Sequence, residues 1–521
     1  TSALIAEHQA ELLAELKSTI DEQESVFNAW EQIHIRYRRD IPELLKYTLL
    51  SVISDGAVSK LGTVFTPFGF YYSWNRADDV QTTSNADNLA TLVKGALCPA
   101  RLLAILRDFI YYPDQSDNET VIACRYPQFF AANKMFAHIA AHLRPEGDGK
   151  GGTYFGATGC GKTYTMLYLA RLLIRRNQAV FKNPTVIIIT DREDLDSQTA
   201  KIFTNAKTFL GEEDVIGIES RQDLANRLKA KPSGGVYLTT IQKFSENIGL
   251  LSERSNIICI SDEAHRTQTG VDGKMVLDET GASVKYGFAK YLRDSFPNAT
   301  YAGFTGTPID ETLAVFGGVV DKYTMKQASD DGITVRIAYE PRLARVLLSE
   351  GKVKEIDAFY QACENEGASE EAIEQSKRQM SQMRQILAHP DRLKLLAADM
   401  VAHYETLCAA NPAVVKKAMI VCADREIAFA LLKEIVAIRP DWAVPKQGAD
   451  DKSAPIEKIR LVATRSENDA PELYQACGTK EYRKEQDRQF KNTGSNFQIA
   501  VVVDMWITGF DVPSLAAMYI D

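Results

Sequence analysis

The chain lacks most of the marks by which composition alone announces a special class of protein. Its eight cysteines include no Cys-x-x-Cys pair, so spacing signals neither a zinc site nor a disulfide framework. That usage fits a reducing cytosol. No apolar run approaches the roughly 18 residues of a membrane-spanning helix. Positive charge is not in excess: 60 Lys and Arg stand against 69 Asp and Glu, a net charge of -9. No global basic field therefore points to nucleic acid. Local basic patches suffice for a motor on nucleic acid, because only the contacted phosphates need neutralising. There is no internal repeat and no low-complexity tract. The first residues, from Thr1 to His8, are no signal peptide, and there is no initiator Met. The last residues, Met518 to Asp521, end in a strand-like apolar run. Both ends read as cut, so the expectation is part of a longer protein. A length of 521 residues suggests about three domains.

What is present is organised around Gly156-Ala-Thr-Gly-Cys-Gly-Lys162-Thr163. It fits G-x-x-x-x-G-K-[ST], a phosphate-binding loop, and it has the context such a loop needs. Tyr154-Phe155 leads in as a strand, and a helical pattern runs from Thr163 to Arg176. Glycines at 156, 159 and 161 let backbone N–H groups turn inward, and the helix N-terminus adds partial positive charge. Thr158, Cys160 and the three glycines line the loop. Lys162 is placed to reach the β- and γ-phosphates of ATP, and the Thr163 hydroxyl to ligate Mg²⁺.

Beyond the loop, apolar runs alternate with helical spacers. Thr185–Thr190, Val236–Thr240, Ile257–Ser261 and Thr300–Phe304 read as buried parallel strands of a doubly wound α/β domain. Ligands of such a sheet bind at the C-terminal ends of its strands. Asp262-Glu-Ala-His265 follows one strand, with Asp262 placed to hold Mg²⁺ and Glu263 to polarise an attacking water. Thr305-Gly-Thr307-Pro follows another. Asp191, Arg192, Thr239, Thr240, Gln242, Lys243, Thr305 and Thr307 cap strand ends with groups that suit phosphodiester contacts. Each taken alone is equally a helix cap.

Before the loop, residues 1 to about 40 are helical in pattern, and residues 41–90 read as short strands, including 64–74. A helix opens at Arg125-Tyr-Pro-Gln128, and Gln128 can read an adenine edge or be a surface residue. Residues 145–152 read as a linker. Residues 366–400 read as a charged helical connector, and a second α/β unit follows, with strands at 418–423 and 499–503. A polar, irregular segment at 445–480 lies between them. The second unit carries no phosphate loop and ends its last buried strand near Thr508-Gly-Phe-Asp511.

Two α/β units with the phosphate loop and acidic pair in the first alone resemble the RecA-like lobes of superfamily 2 helicases and translocases. Asp262-Glu-Ala-His265 with Thr305-Gly-Thr-Pro308 and Thr508-Gly-Phe-Asp511 is similar to the motor (R) subunit of type I restriction–modification enzymes. Glu15-Leu-Lys17, Gln32 to Tyr37, Ile41 to Tyr47 and Ser54-Asp-Gly56 resemble the back half of that family's PD-(D/E)xK-type nuclease domain.

The resemblance implies two RecA-like doubly wound parallel-sheet lobes preceded by an α+β nuclease remnant. It divides the chain into a partial nuclease-like domain (1–112), a first lobe (113–330), a helical connector (331–400) and a second lobe (401–521). It implies a prokaryotic cytoplasmic enzyme that uses ATP and Mg²⁺, translocates and cuts double-stranded DNA, and assembles with methyltransferase and specificity subunits. Glu15 then holds a metal and acts with Lys17 in cleavage, Gln128 reads adenine, and Thr508 contacts DNA. The family's nuclease Asp is not recognisable upstream of Glu15, and its catalytic arginines do not appear by Asp521. The expectation for this segment is ATP·Mg²⁺ binding with slow turnover. A type III restriction subunit, a stand-alone helicase, and a nucleotide- and DNA-binding module without turnover are the alternatives.

Overall fold

The computed structural model describes residues 12–16, 25–78, 88–115, 120–190, 193–244, 249–264, 274–278, 281–285, 288–335, 337–341, 384, 387–412, 414–449, 454–467, 469–506, 510 and 512–521. The chain forms two compact units, Thr1–Ile337 and Ala338–Asp521. No single helix among the described residues is long and apolar enough to cross a membrane.

The first unit begins with a three-stranded sheet, β1 (Leu12–Leu16), β2 (Leu50–Ser54) and β3 (Ser59–Gly62), in that order. β1 corrects the helical reading of the first 40 residues. Leu, Ala and Glu favour helix in isolation, but pairing in parallel with the buried β2 decides the outcome. Glu15 sits on β1 with Ile53 as its partner. Helical structure starts only at Val26–Glu31 and continues as a π-helix, Gln32–Tyr37. Residues 64–74 are also not a strand. Phe68–Phe70 is a short 3₁₀ turn after Pro67, and only Tyr72 makes a bridge, to Leu61. A small antiparallel pair, β4 (Ile110–Tyr111) and β5 (Ile122–Ala123), comes next.

The main sheet has seven parallel strands. In chain order they are β6 (Lys150–Gly156), β7 (Thr185–Thr190), β8 (Val215–Gly217), β9 (Val236–Thr240), β10 (Ile257–Ser261), β13 (Thr300–Thr305) and β14 (Val319–Tyr323). A hairpin, β11 (Lys274–Asp278) and β12 (Gly281–Lys285), lies between β10 and β13 in the sequence. The spatial order is β14-β6-β13-β10-β7-β9-β8. The inner strands β7, β9, β10 and β13 are buried along their whole length, because helices cover both faces of a parallel sheet. β8 and β14 form the two edges and went unread in the sequence. β14 is partly exposed and mixes Asp and Lys with its apolar residues. The stretch read as a linker ends inside β6, at Lys150.

The N-terminal sheet and this lobe share one core. Trp74 is fully buried and packs its ring against Tyr126, Phe129 and Phe130. Beside it the Arg76 guanidinium pairs with Asp321 at 3.2 Å and lies over the Phe130 ring.

The second unit is a four-stranded parallel sheet of β15 (Lys417–Val421), β16 (Ile459–Val462), β17 (Ile499–Val502) and β18 (Leu515–Ile520), ordered β16-β17-β15-β18. Helices Pro390–Ala410, Arg425–Ile438 and Lys480–Lys491 accompany it. The segment 445–480 is less irregular than its composition suggests. It contains β16 and the helix Pro471–Cys477. Of the stretch read as a charged connector, residues 366–383 lie outside the described residues.

Candidate nucleotide site

β6 delivers the chain to Gly156, and the helix Lys162–Arg175 carries it away. Between them Gly159 and Gly161 adopt φ of 81° and 85°, the left-handed region that favours glycine. Neighbouring strands hold the loop on both sides. The Ala157 N–H donates to Tyr323 O of β14 at 2.8 Å. On the β13 side, the turn after Thr305 presses against the loop. A Cβ on Gly306 would lie 3.2 Å from Thr158 Oγ1 and 3.7 Å from Lys162 Nζ.

β10 brings in the acidic pair. The Asp262 N–H donates to Ile189 O and the Ala264 N–H to Phe304 O, so the turn is pinned between β7 and β13. Glu263 is held at φ 45°, an uncommon conformation for a residue with a Cβ, and its N–H donates to Asp262 Oδ1 at 2.9 Å. Lys162 Nζ lies 3.4 Å from Glu263 Oε1 and donates to Gly156 O at 3.4 Å. The lysine is 9% exposed. The sheet thus joins two residues 101 positions apart in sequence. Thr163, in the first turn of the helix, is partly exposed. Burial pushes the Cys160 thiol up, which keeps this loop residue uncharged.

Gln128 also reaches the loop. Its Oε1 accepts from the Arg125 N–H at 2.8 Å, and its Nε2 donates to Gly161 O at 3.3 Å. The side chain is 5% exposed, so its amide meets the loop itself in this structure rather than open space.

The residues read as DNA contacts fare unevenly. Thr239, Thr240 and Thr305 are buried at 1%, 2% and 0% exposure, which corrects the expectation that they face phosphates. A strand-end position does not guarantee exposure here, because the covered sheet buries even its terminal residues. Thr307 is exposed. The Lys243 ammonium donates to Ile218 O. Asp191, Arg192, Thr508 and Lys17 lie outside the described residues, as do the side chains of Gln242 and Glu15.

Sequence reasoning missed Asp331. Its carboxylate accepts hydrogen bonds from Tyr126 and Tyr323, both beside the loop, and from Asn75. No local pattern marks it, because two of its three partners, Tyr126 and Asn75, lie 205 and 256 positions away in sequence.

A seven-stranded parallel sheet with a phosphate loop, an acidic pair and a polar turn on one edge defines a RecA-like ATPase lobe. A family model described as SWI2/SNF2 ATPase matches residues 127–373. More particularly, the chain is a homologue of the endonuclease subunits of type I restriction enzymes. It is 34% identical over 523 aligned residues to the type I restriction enzyme HindI endonuclease subunit of Haemophilus influenzae, covering 97% of this chain and 47% of that one. It is 26% identical to the SsaAORF53P endonuclease subunit of Staphylococcus saprophyticus, covering 58% of this chain and 31% of that one. The chain spans about half the length of the curated relatives it matches along most of its own length. Among solved structures, the Pyrococcus furiosus Hef helicase domain aligns at 15% identity and a TM-score of 0.35, over 75% of this chain and 88% of that one.

Proposed function

We propose that this chain is the motor and nuclease portion of a type I restriction endonuclease subunit, an ATP-driven translocase on double-stranded DNA joined to an endonuclease. The observation that carries the reading is the convergence of Lys162, Asp262, Glu263 and the Gly306 turn on one edge of one parallel sheet. ATP enters at the phosphate loop, where the N–H groups of Gly159 to Thr163 and the helix N-terminus receive its phosphates. Lys162 exchanges Glu263 for the β- and γ-phosphates. That exchange frees the Glu263 carboxylate to accept a hydrogen bond from the attacking water.

A carboxylate (Asp262) and a hydroxyl (Thr163) are hard oxygen donors of the kind that suit Mg²⁺ together with waters and phosphate oxygens. When bound there, the ion neutralises charge that develops on the phosphates. Adenine recognition is assigned to Gln128, whose amide bonds to Gly161 O.

The candidate contacts to duplex DNA are Thr307, Lys243, Asp191, Arg192 and Gln242 in strand-end loops of the first unit, and Thr508 in the second unit. Thr239, Thr240 and Thr305 shape those loops from beneath. The N-terminal region supplies Glu15, as metal ligand, and Lys17 for cleavage, and β1 puts Glu15 on a strand beside the 54–56 turn. Methyltransferase and specificity subunits complete the assembly and choose the site. The test is displacement of a triplex-forming strand from duplex DNA by the assembled complex. ATP-dependent displacement without separation of the duplex, lost in Lys162→Ala, supports the reading. Separation of the duplex strands identifies a helicase instead.

A further inference from the structure

The segment that leaves the main sheet folds back over the phosphate loop. After β14 the helix Met325–Asp330 ends at Asp331, and Gly332 turns the chain at φ 69°. The N–H groups of Ile333 and Thr334 then both donate to Ala328 O, at 2.9 and 3.1 Å. This places Thr334 Cγ2 3.7 Å from where a Cβ on Gly159 would sit. The Thr334 hydroxyl is buried and has no hydrogen-bond partner among the described residues. Buried hydroxyls are normally satisfied, so an orphan beside a ligand-binding loop points to a ligand atom.

Asp331 holds this strap. It accepts from Tyr126 and Tyr323, each at 2.5 Å, and from Asn75 Nδ2 at 2.6 Å. Burial raises both phenols well above their ordinary range, so they stay protonated and donate. Both tyrosines are also tied to the loop by other routes. Tyr126 lies two positions before Gln128, whose amide touches Gly161, and Tyr323 receives the Ala157 N–H. Asp331 is thereby linked, through Tyr323 and Tyr126, to both ends of the loop, at Ala157 and at Gly161.

We propose that Thr334 is a further nucleotide-binding residue, its hydroxyl hydrogen-bonding a nucleoside triphosphate at the tip of the phosphate loop, and that Asp331 is the positioning residue that keeps it there. The proposal rests on the reading of the loop as an ATP site. It is tested by equilibrium binding of ATP with Mg²⁺ to the full chain. Thr334→Val removes the hydroxyl and keeps the shape, and should weaken binding about 3–10-fold, the loss of one neutral hydrogen bond. Thr334→Ser restores the hydroxyl and should bind within about twofold of the wild type, well inside one such bond. Asp331→Asn should weaken binding by a similar factor, and the Asp331→Asn/Thr334→Val double variant should lose no more than either alone. Wild-type binding by Thr334→Val, or failure of Thr334→Ser to restore it, overturns the binding role. Additive losses in the double variant overturn the positioning role. Lys162→Ala run alongside separates the two levels: if it too binds like the wild type, the nucleotide reading itself has failed.

Discussion

Gly161→Ala is the substitution whose effect the geometry specifies most fully. Gly161 sits at φ 85°, ψ 42°, and a residue with a Cβ in that region costs roughly 1–2 kcal/mol. The new methyl would lie 2.6 Å from Gln128 Nε2, closer than a real Cβ tolerates. The Gln128 amide must then give up its 3.3 Å bond to Gly161 O, about 0.5–1.5 kcal/mol more. The sum, about 1.5–3.5 kcal/mol, falls where backbone N–H groups must point at phosphates. If the loop relaxes to escape the strain, ATP affinity drops on the order of 10- to 300-fold. If it does not, the same free energy appears as a lower melting temperature. Paired ATP titration and thermal melting therefore capture the effect either way. Adding Gln128→Ala removes the clash and leaves the backbone term. The double variant should fall closer to Gln128→Ala than Gly161→Ala falls to the wild type. A Gly161→Ala protein that melts and binds like the wild type would show that the loop does not need the left-handed conformation at Gly161.

Asp262→Asn should bind ATP within a few-fold of the wild type yet lose most turnover, since it keeps the contact to the Glu263 N–H but weakens the metal-binding charge; steady-state hydrolysis checks this. In the assembled complex, Lys17→Ala and Glu15→Ala should abolish DNA cleavage and leave ATP hydrolysis unchanged, as read on plasmid substrate; normal cutting would return that segment to a structural role. Lys417 is fully buried and its ammonium donates to the carbonyls of Gln489, Phe490 and Asn492 at the end of the helix Lys480–Lys491. Lys417→Met strands those carbonyls and should cost the chain at least about 1–3 kcal/mol in denaturant unfolding. Burial pulls the Lys417 ammonium down to about 8 from 10.5. Between those values the unfolded chain holds the extra proton, so this group makes stability rise with pH across that window and adds no slope below it. Lys417→Met should remove that rise.

The motifs that carry the chemistry were legible because each is local. The phosphate loop is legible from its own glycines and Lys162-Thr163, and the acidic pair and the Thr305–Pro308 turn each follow an inner strand that reads as a largely apolar run. What was missed depends on contacts distant in sequence. β1 has helix-favouring residues and becomes a strand only through β2. β14 is an edge strand with mixed polarity, yet its Tyr323 holds the loop. The Lys162–Glu263 pair, the Gln128 contact with Gly161 and the Asp331 cluster all join segments that only the folded sheet brings together. The buried threonines show the opposite error: position at a strand end was legible, while the covering helices that bury it were not.

If the Lys162–Asp262–Glu263 site drives a motor on duplex DNA, nucleotide turnover there must respond to duplex. The most direct measurement is steady-state ATP hydrolysis by the chain, with and without covalently closed duplex DNA, beside Lys162→Ala. Duplex of any sequence should raise hydrolysis over the DNA-free rate, and both rates should vanish in Lys162→Ala. Hydrolysis indifferent to duplex, or surviving in Lys162→Ala, would contradict a motor at this site.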